Sequence, residues 1–226
     1  MQPVFWLALS KVVWIDILLS GDNALVIAMA CRGLAPRKRF WGMILGAGAA
    51  VALRIVCTGL IASLLEYPYL KIIGGLALLY VATKLLLPED DGADDVKSAD
   101  RLLSAIRVIM IADIVMSMDN VIAVAAAADG SLLLLGIGLA LSIPLIVAGA
   151  ALISSILSRF PVLVWAGAAL LGWIAGEVIV SDPFIRPLLV APFDAPFFYA
   201  AIGSCLVLGM GAVWRSRIEA AQEVRS

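Results

Sequence analysis

Polar and charged residues fall in tight clusters along this chain, and the apolar residues between them run almost unbroken. Such runs occupy 4–30, 40–64, 69–87, 103–128, 131–157, 162–180 and 198–214. A bilayer core about 30 Å thick takes about 20 mostly apolar residues per helix, so each run predicts one membrane-spanning helix. The expected architecture is all-α and polytopic, with seven transmembrane helices and short connections. The first run opens with uncharged MQPVFWLALS, lacks a basic leader and carries Asp16 and Asp22. It reads as a retained helix and not a cleaved signal.

The basic residues set a direction. Arg32, Arg37, Lys38 and Arg39 lie between the first two runs, and Lys84, Lys97, Arg101 and Arg107 lie around the third connection. Arg159 sits between runs five and six, and Arg215, Arg217 and Arg225 follow the last. The other side holds only Lys71 and Arg186. Basic residues mark the cytoplasmic face, which puts the N-terminus outside and the C-terminus inside. Trp6, Trp41 and Trp214 fall at run ends, where an aromatic belt belongs.

Composition narrows the chemistry. Of 226 residues, 63% are apolar and 15% charged, against about 25% charged in a soluble domain. The formal net charge of −1 offers no basic footprint for nucleic acid. With no histidine, Ser–His and Cys–His catalysis are excluded. Cys31, Cys57 and Cys205 lie far apart and form no CxxC pair, so no disulfide framework or thiolate metal site is expected. The acidic stretch from Pro88 to Asp95 reads as part of a solvated cytoplasmic loop, about 88–100.

The first and fourth runs share a motif. Asp16-Ile-Leu-Leu-Ser-Gly-Asp22-Asn23 is matched by Asp113-Ile-Val-Met-Ser-Met-Asp119-Asn120 at an offset of 97 residues. The pairs are Asp16/Asp113, Ser20/Ser117, Asp22/Asp119 and Asn23/Asn120. The third and sixth runs also align, which sets Lys84 opposite Glu177. The chain then reads as a single membrane domain with repeat A at about 4–87, repeat B at about 103–180 and an extra helix at about 198–214. Three helices per repeat invert the second copy, giving the 3+3 inverted layout of secondary transporters, whose sites lie near the midplane.

On a continuous helix, Asp16, Ser20 and Asn23 line one stripe, with Asp22 about 100° around from Asn23. If the two copies meet, four carboxylates, two amides and two hydroxyls converge. Such oxygen donors suit hard divalent cations. The metal-site candidates are Asp16, Asp22, Asn23, Asp113, Asp119 and Asn120, with Ser20 and Ser117 in support. Gly21 permits a local helix break, which would free carbonyls as ligands. Met118 stands at the matching place and would add a thioether, favouring Mn²⁺ over Mg²⁺. Moving a divalent cation outward against an inside-negative potential costs about 4.6 kcal/mol per 100 mV, and two inward protons would offset it.

A buried aspartate can also serve only to neutralise an arginine, and Arg54, near the middle of the second run, is the obvious partner. Arg54 would repel a cation, so it reads as a structural or gating counter-ion. Glu177 reads as snorkelling to the interface or as part of an outer vestibule. Gly42, Gly46, Gly136, Gly138, Gly149 and Gly172 read as close-packing positions. An intramembrane aspartyl protease is set aside, because Leu19-Ser-Gly-Asp22 and Ser117-Met-Asp119 lack that class's Gly-x-Gly-Asp and Tyr-Asp signatures. No enzymatic activity is expected.

Ser20-Gly-Asp-Asn-Ala-Leu-Val26, Ser117-Met-Asp-Asn-Val-Ile122 and the basic Arg37-Lys-Arg39 loop resemble the TerC family of integral membrane proteins, over nearly the whole chain. The resemblance implies a fold like that of LysE-type exporters and a link to Mn²⁺ efflux or to metal supply for exported proteins. It points to a bacterial inner membrane. It implies Mn²⁺ (or Ca²⁺) as transported ion with no permanently bound cofactor. Protons, membrane lipid and a second copy of the chain are the other candidate partners. The alternative is a membrane partner for metal loading or assembly, without transport.

Overall fold

The computed structural model describes residues 2–61, 68–87, 95–117, 124, 127–128, 131–188 and 196–223. Every regular element among them is helical: α1 (Gln2–Leu19), α2 (Gly21–Ala30), α3 (Pro36–Ile61), α4 (Leu70–Lys84), α5 (Asp95–Ser117), α6 (Leu132–Arg159), α7 (Val162–Val180), a 3-10 turn (Arg186–Leu188) and α8 (Pro196–Glu223).

Among the described residues, four helices are long and apolar enough to cross a membrane: Pro36–Thr58, Leu133–Arg159, Val162–Val180 and Pro196–Arg217. The pair α1 and α2 qualifies together as a fifth, bent by 55° where the helix breaks at Ser20. The sequence predicts seven spans, and the other two expected ones do not meet that length and hydropathy among the described residues. The 15-residue α4 is only about 22 Å long at 1.5 Å per residue. The described part of α5 ends at Ser117, inside the expected run 103–128, most of whose remainder lies outside the described residues.

The chain divides into two compact units that cut across the sequence repeats. The first comprises Met1–Glu66 and Ala93–Arg159, the second Tyr67–Gly92 and Phe160–Ser226. The leading helices of both repeats therefore share the first unit, while the third helix of each goes to the second unit with α8.

In the first unit, α6 packs along α1, α2 and α3, while α5 packs against α2 and α3. Leu9 and Val12 of α1, Val51 of α3 and Leu134, Leu135 and Leu139 of α6 form its apolar core with Val124 and Ala128. Close packing depends on missing side chains at three places, one of them Gly42, where a Cβ would lie 3.0 Å from Leu34. A Cβ on Gly138 would run into Val12, and one on Gly46 into Ile109. Gly136 and Gly149 make looser contacts, with their nearest neighbours 3.9 and 3.8 Å from where a Cβ would lie. They are ordinary packing positions.

In the second unit, α7 packs against both α4 and α8. Its Gly172-x-x-x-Gly176 spacing puts two bare backbone patches one turn apart. Gly172 faces the backbone of Gly203, and Gly176 faces the backbone of Tyr199, so the α7 and α8 main chains touch directly. At the end of α7, Asp182 is fully buried. Its carboxylate accepts from the backbone N–H groups of Phe184 (2.9 Å), Tyr69 (3.1 Å), Lys71 (3.1 Å) and Ile72 (3.4 Å). The last three belong to the start of α4, whose first N–H groups have no partner within the helix. Burial alone would raise this carboxyl's pKa; the four N–H donors outweigh it and hold it below the usual carboxylate range. Tyr69 takes a left-handed conformation (φ 73°), and its ring lies against that of Phe184, tilted by 38° with centroids 4.7 Å apart.

Large apolar side chains cover the outside of the helices, including Trp14, Leu18, Leu133 and Phe197. Trp6, Trp41 and Trp214, expected at interfaces, are exposed as well. Such a surface suits lipid, not water.

Candidate ion site in the first unit

The break between α1 and α2 falls at a Ser-Gly pair, a sequence that allows sharp kinks. Gly21 there has an ordinary backbone conformation and open space around its missing Cβ. Glycine's freedom is therefore not what the break uses. Ser20 instead turns its hydroxyl to Asp16 Oδ1 one turn back (3.2 Å).

Asp16, Ser20, Arg54, Asp113 and Ser142 form a buried cluster, each no more than 4% exposed. Arg54 Nη1 donates to Asp16 Oδ1 at 2.6 Å and lies 3.4 Å from Ser20 Oγ. Its Nη2 pairs with Asp113 Oδ1. One guanidinium from α3 thus holds the leading aspartate of both motif copies. Ser142 of α6 reaches the other oxygen of Asp16, Oδ2, and also donates to the Leu139 carbonyl at 2.8 Å. Thr58 Oγ1 donates to the Arg54 carbonyl (2.7 Å).

Not every polar atom here is satisfied. Asp113 Oδ2, Arg54 Nε and both amide atoms of the buried Asn23 have no hydrogen-bond partner. Buried polar groups are paired in the great majority of cases, so two unpaired atoms within the ion pair and two more on Asn23 of α2 require an explanation. With both carboxylates ionised, two anions face one guanidinium, and the cluster carries one negative charge in excess.

The remaining predicted residues divide as follows. Asp22 is half-buried in the first turn of α2, and its Oδ1 accepts the Asn23 N–H at 2.9 Å. It lies within electrostatic reach of Arg54 and Asp113. The stripe expected through Asp16, Ser20 and Asn23 assumes one continuous helix; the bend moves Asn23 onto α2 and leaves Asp16 with Ser20. Ser117 is buried but donates to the Ile114 carbonyl at 3.4 Å, outside the ion pair. Met118, Asp119 and Asn120 lie outside the described residues. Glu177 is exposed in the second unit and accepts from Trp173 Nε1 at 2.9 Å. Among the described residues, no three acidic or cysteine side chains gather as metal ligands.

Ser142 is the cluster member that the sequence does not announce. It is one of four serines in a long apolar helix, two residues before Pro144. Only its proximity to Asp16 distinguishes it.

The fold and this cluster sit on a chain whose residues 1–223 match the profile of the integral membrane protein TerC family. The chain belongs to the TerC family. A similar protein is "Uncharacterized membrane protein YjbE" of Bacillus subtilis (strain 168), 44% identical over 182 residues, covering 80% of this chain and 83% of that one. A second relative, "Uncharacterized membrane protein YceF" of the same organism, is 26% identical over 137 residues, covering 57% and 53% respectively. No solved structure matches the chain. It is an integral membrane protein of this family, and the resemblance carried by the doubled Asp-Asn motif holds.

Proposed function

We propose that this TerC protein is a secondary transporter that exports a hard divalent cation, Mn²⁺ first and Ca²⁺ as the alternative. Its site would be built on Asp16, Asp22, Asn23, Asp113, Asp119 and Asn120. The observation that carries the reading is the convergence of Asp16 and Asp113 on one buried guanidinium. Ionisable residues inside a membrane are expensive and mark ion pathways by default. The unpartnered Asn23 amide and Asp113 Oδ2 are free hard-oxygen donors in the same unit. A divalent ion would convert the cluster's excess negative charge into a ligand set.

Proton exchange fits the energetics of export: two protons moving inward offset the roughly 4.6 kcal/mol per 100 mV that moving a divalent cation outward costs. In this reading the seven-span inverted layout, the outer N-terminus and the cytoplasmic C-terminus describe the working protein, placed in a bacterial inner membrane.

A second reading has one observation in its favour. Arg54 already pairs with both Asp16 and Asp113 and neutralises half of their formal charge, as a purely structural lock would. The protein would then be a non-transporting partner for metal loading or assembly of exported proteins. Mn²⁺ flux into proteoliposomes, with and without an imposed pH gradient, separates the two. The transporter reading expects gradient-dependent flux that is lost in Asp22→Asn. The partner reading expects none from folded protein.

A further inference from the structure

Arg54 stands where a cation would stand. Its two terminal nitrogens reach two carboxylates from different helices, one from each motif copy, and both carboxylates are buried. We propose that Arg54 is the resident counter-ion of the cation-free carrier, holding the place between Asp16 and Asp113 that the divalent ion takes when it binds. The inference rests on the transporter reading and names the residue that sets that site's affinity and valence preference.

Three observations support it. First, the guanidinium is incompletely held. A buried structural arginine normally has its donors engaged, whereas Arg54 Nε has no partner. Second, the carboxylates are incompletely used. Asp113 keeps Oδ2 free, and the neighbouring α2 offers an Asn23 amide with neither atom bonded. These are donors surplus to the ion pair, and each is more than nine-tenths buried. Third, the charges exclude joint occupancy. A divalent ion neutralises both carboxylates by itself, and a guanidinium left between them would only repel it.

This arrangement selects by valence. A monovalent ion brings the same charge as the guanidinium without its directional hydrogen bonds, so it does not displace Arg54. A divalent ion brings twice the charge and does. Once the ion leaves, Arg54 returns to the carboxylates and no bare pair of buried anions remains. The empty carrier is therefore a stable state.

The test is Mn²⁺ binding to the full-length protein in detergent, by calorimetry, for wild type, Arg54→Gln and Arg54→Lys. Each would be titrated in sodium and in a bulky organic-cation salt. Folding is monitored by size exclusion and helical circular dichroism. Removing the competitor makes Arg54→Gln bind Mn²⁺ on the order of tenfold tighter or more, and makes that binding sensitive to sodium. Wild-type binding is sodium-insensitive at equal ionic strength. Arg54→Lys keeps the charge but cannot bridge both carboxylates, so it falls between the two. It decides the matter if Arg54→Gln does not fold. Equal or weaker Mn²⁺ binding in a folded Arg54 variant overturns the inference. Asp16→Asn/Asp113→Asn locates the failure. If that double variant loses Mn²⁺ binding while the Arg54 variants match wild type, the competitor idea alone is wrong. If binding is unchanged in the double variant, or absent throughout, the transporter site is wrong and the inference falls with it.

Discussion

Asp182→Asn is the most informative single change to the fold, because a conventional cap would tolerate it. At an ordinary helix N-terminus, asparagine caps about as well as aspartate. Here both oxygens of the carboxylate are committed. Oδ1 takes Tyr69 and Phe184, and Oδ2 takes Lys71 and Ile72. An asparagine can serve one pair with its oxygen, but its NH₂ then points donors at the donors of the other pair. The charge that faces the positive end of α4 is lost as well, worth about 0.3–1 kcal/mol. Two buried N–H groups left without an acceptor cost about 1–3 kcal/mol each, with water relieving part of it at a loop. The expected destabilisation is about 2–3 kcal/mol for Asp182→Asn, and more for Asp182→Ala, which leaves all four N–H groups without this acceptor. Thermal unfolding of the purified protein in detergent, with amide exchange at Tyr69, Lys71 and Ile72, measures it. The pH dependence has a definite sign. The folded carboxyl titrates below its unfolded value of about 3.9, so its contribution is full above that pH and is lost as pH falls through the folded pKa. The gap between wild type and Asp182→Asn therefore stays constant from about pH 5 to pH 8 and closes in stronger acid. An Asp182→Asn protein as stable as wild type at neutral pH would refute the reasoning.

Three other outcomes follow from particular contacts. Gly203→Leu would push α8 off α7, because the backbone of Gly172 lies where the new side chain must go. A loss of about 3 kcal/mol or more is expected in thermal unfolding, with exposure of both helices to amide exchange. Gly21→Ala should be neutral or stabilise by up to about 1 kcal/mol in the same assay, since the position has space and an ordinary backbone conformation. A marked loss would mean that the break needs glycine after all. Ser142→Ala removes a buried hydroxyl from Asp16 and should cost about 1–2 kcal/mol in thermal unfolding. Unchanged stability in that variant would show that the hydroxyl does not help to hold Asp16.

The sequence makes the chemistry of the site more legible than its geometry. Repetition of four polar residues at one offset singles out Asp16 and Asp113, because charges inside apolar runs are too costly to recur without a use. Arg54 is visible for the same reason, as the one basic residue deep in the second run. That it spans both aspartates depends on α3 lying against α5 and α6, which periodicity does not encode. Ser142 and Asp182 are invisible in the sequence for opposite reasons. A serine in an apolar helix is unremarkable, and Asp182 looks like any loop carboxylate until α4, over 100 residues earlier, docks on it. The glycines read as packing positions are such at Gly42, Gly46, Gly138 and Gly172, although the full Gly172, Gly176 and Gly203 contact needed α8, which the repeat leaves out. The third run, 69–87, yields a helix of only 15 residues, because hydropathy does not mark where a helix starts and stops.

The most direct test of the central claim is Mn²⁺ flux in proteoliposomes carrying purified protein, with Mg²⁺ and Ca²⁺ as competitors and a pH gradient imposed or withheld. The account predicts Mn²⁺ movement that a proton gradient drives in the opposite direction and that Asp22→Asn or Asp119→Asn abolishes in protein that still folds. Absence of flux for every ion, from wild-type protein shown to be folded, would contradict it.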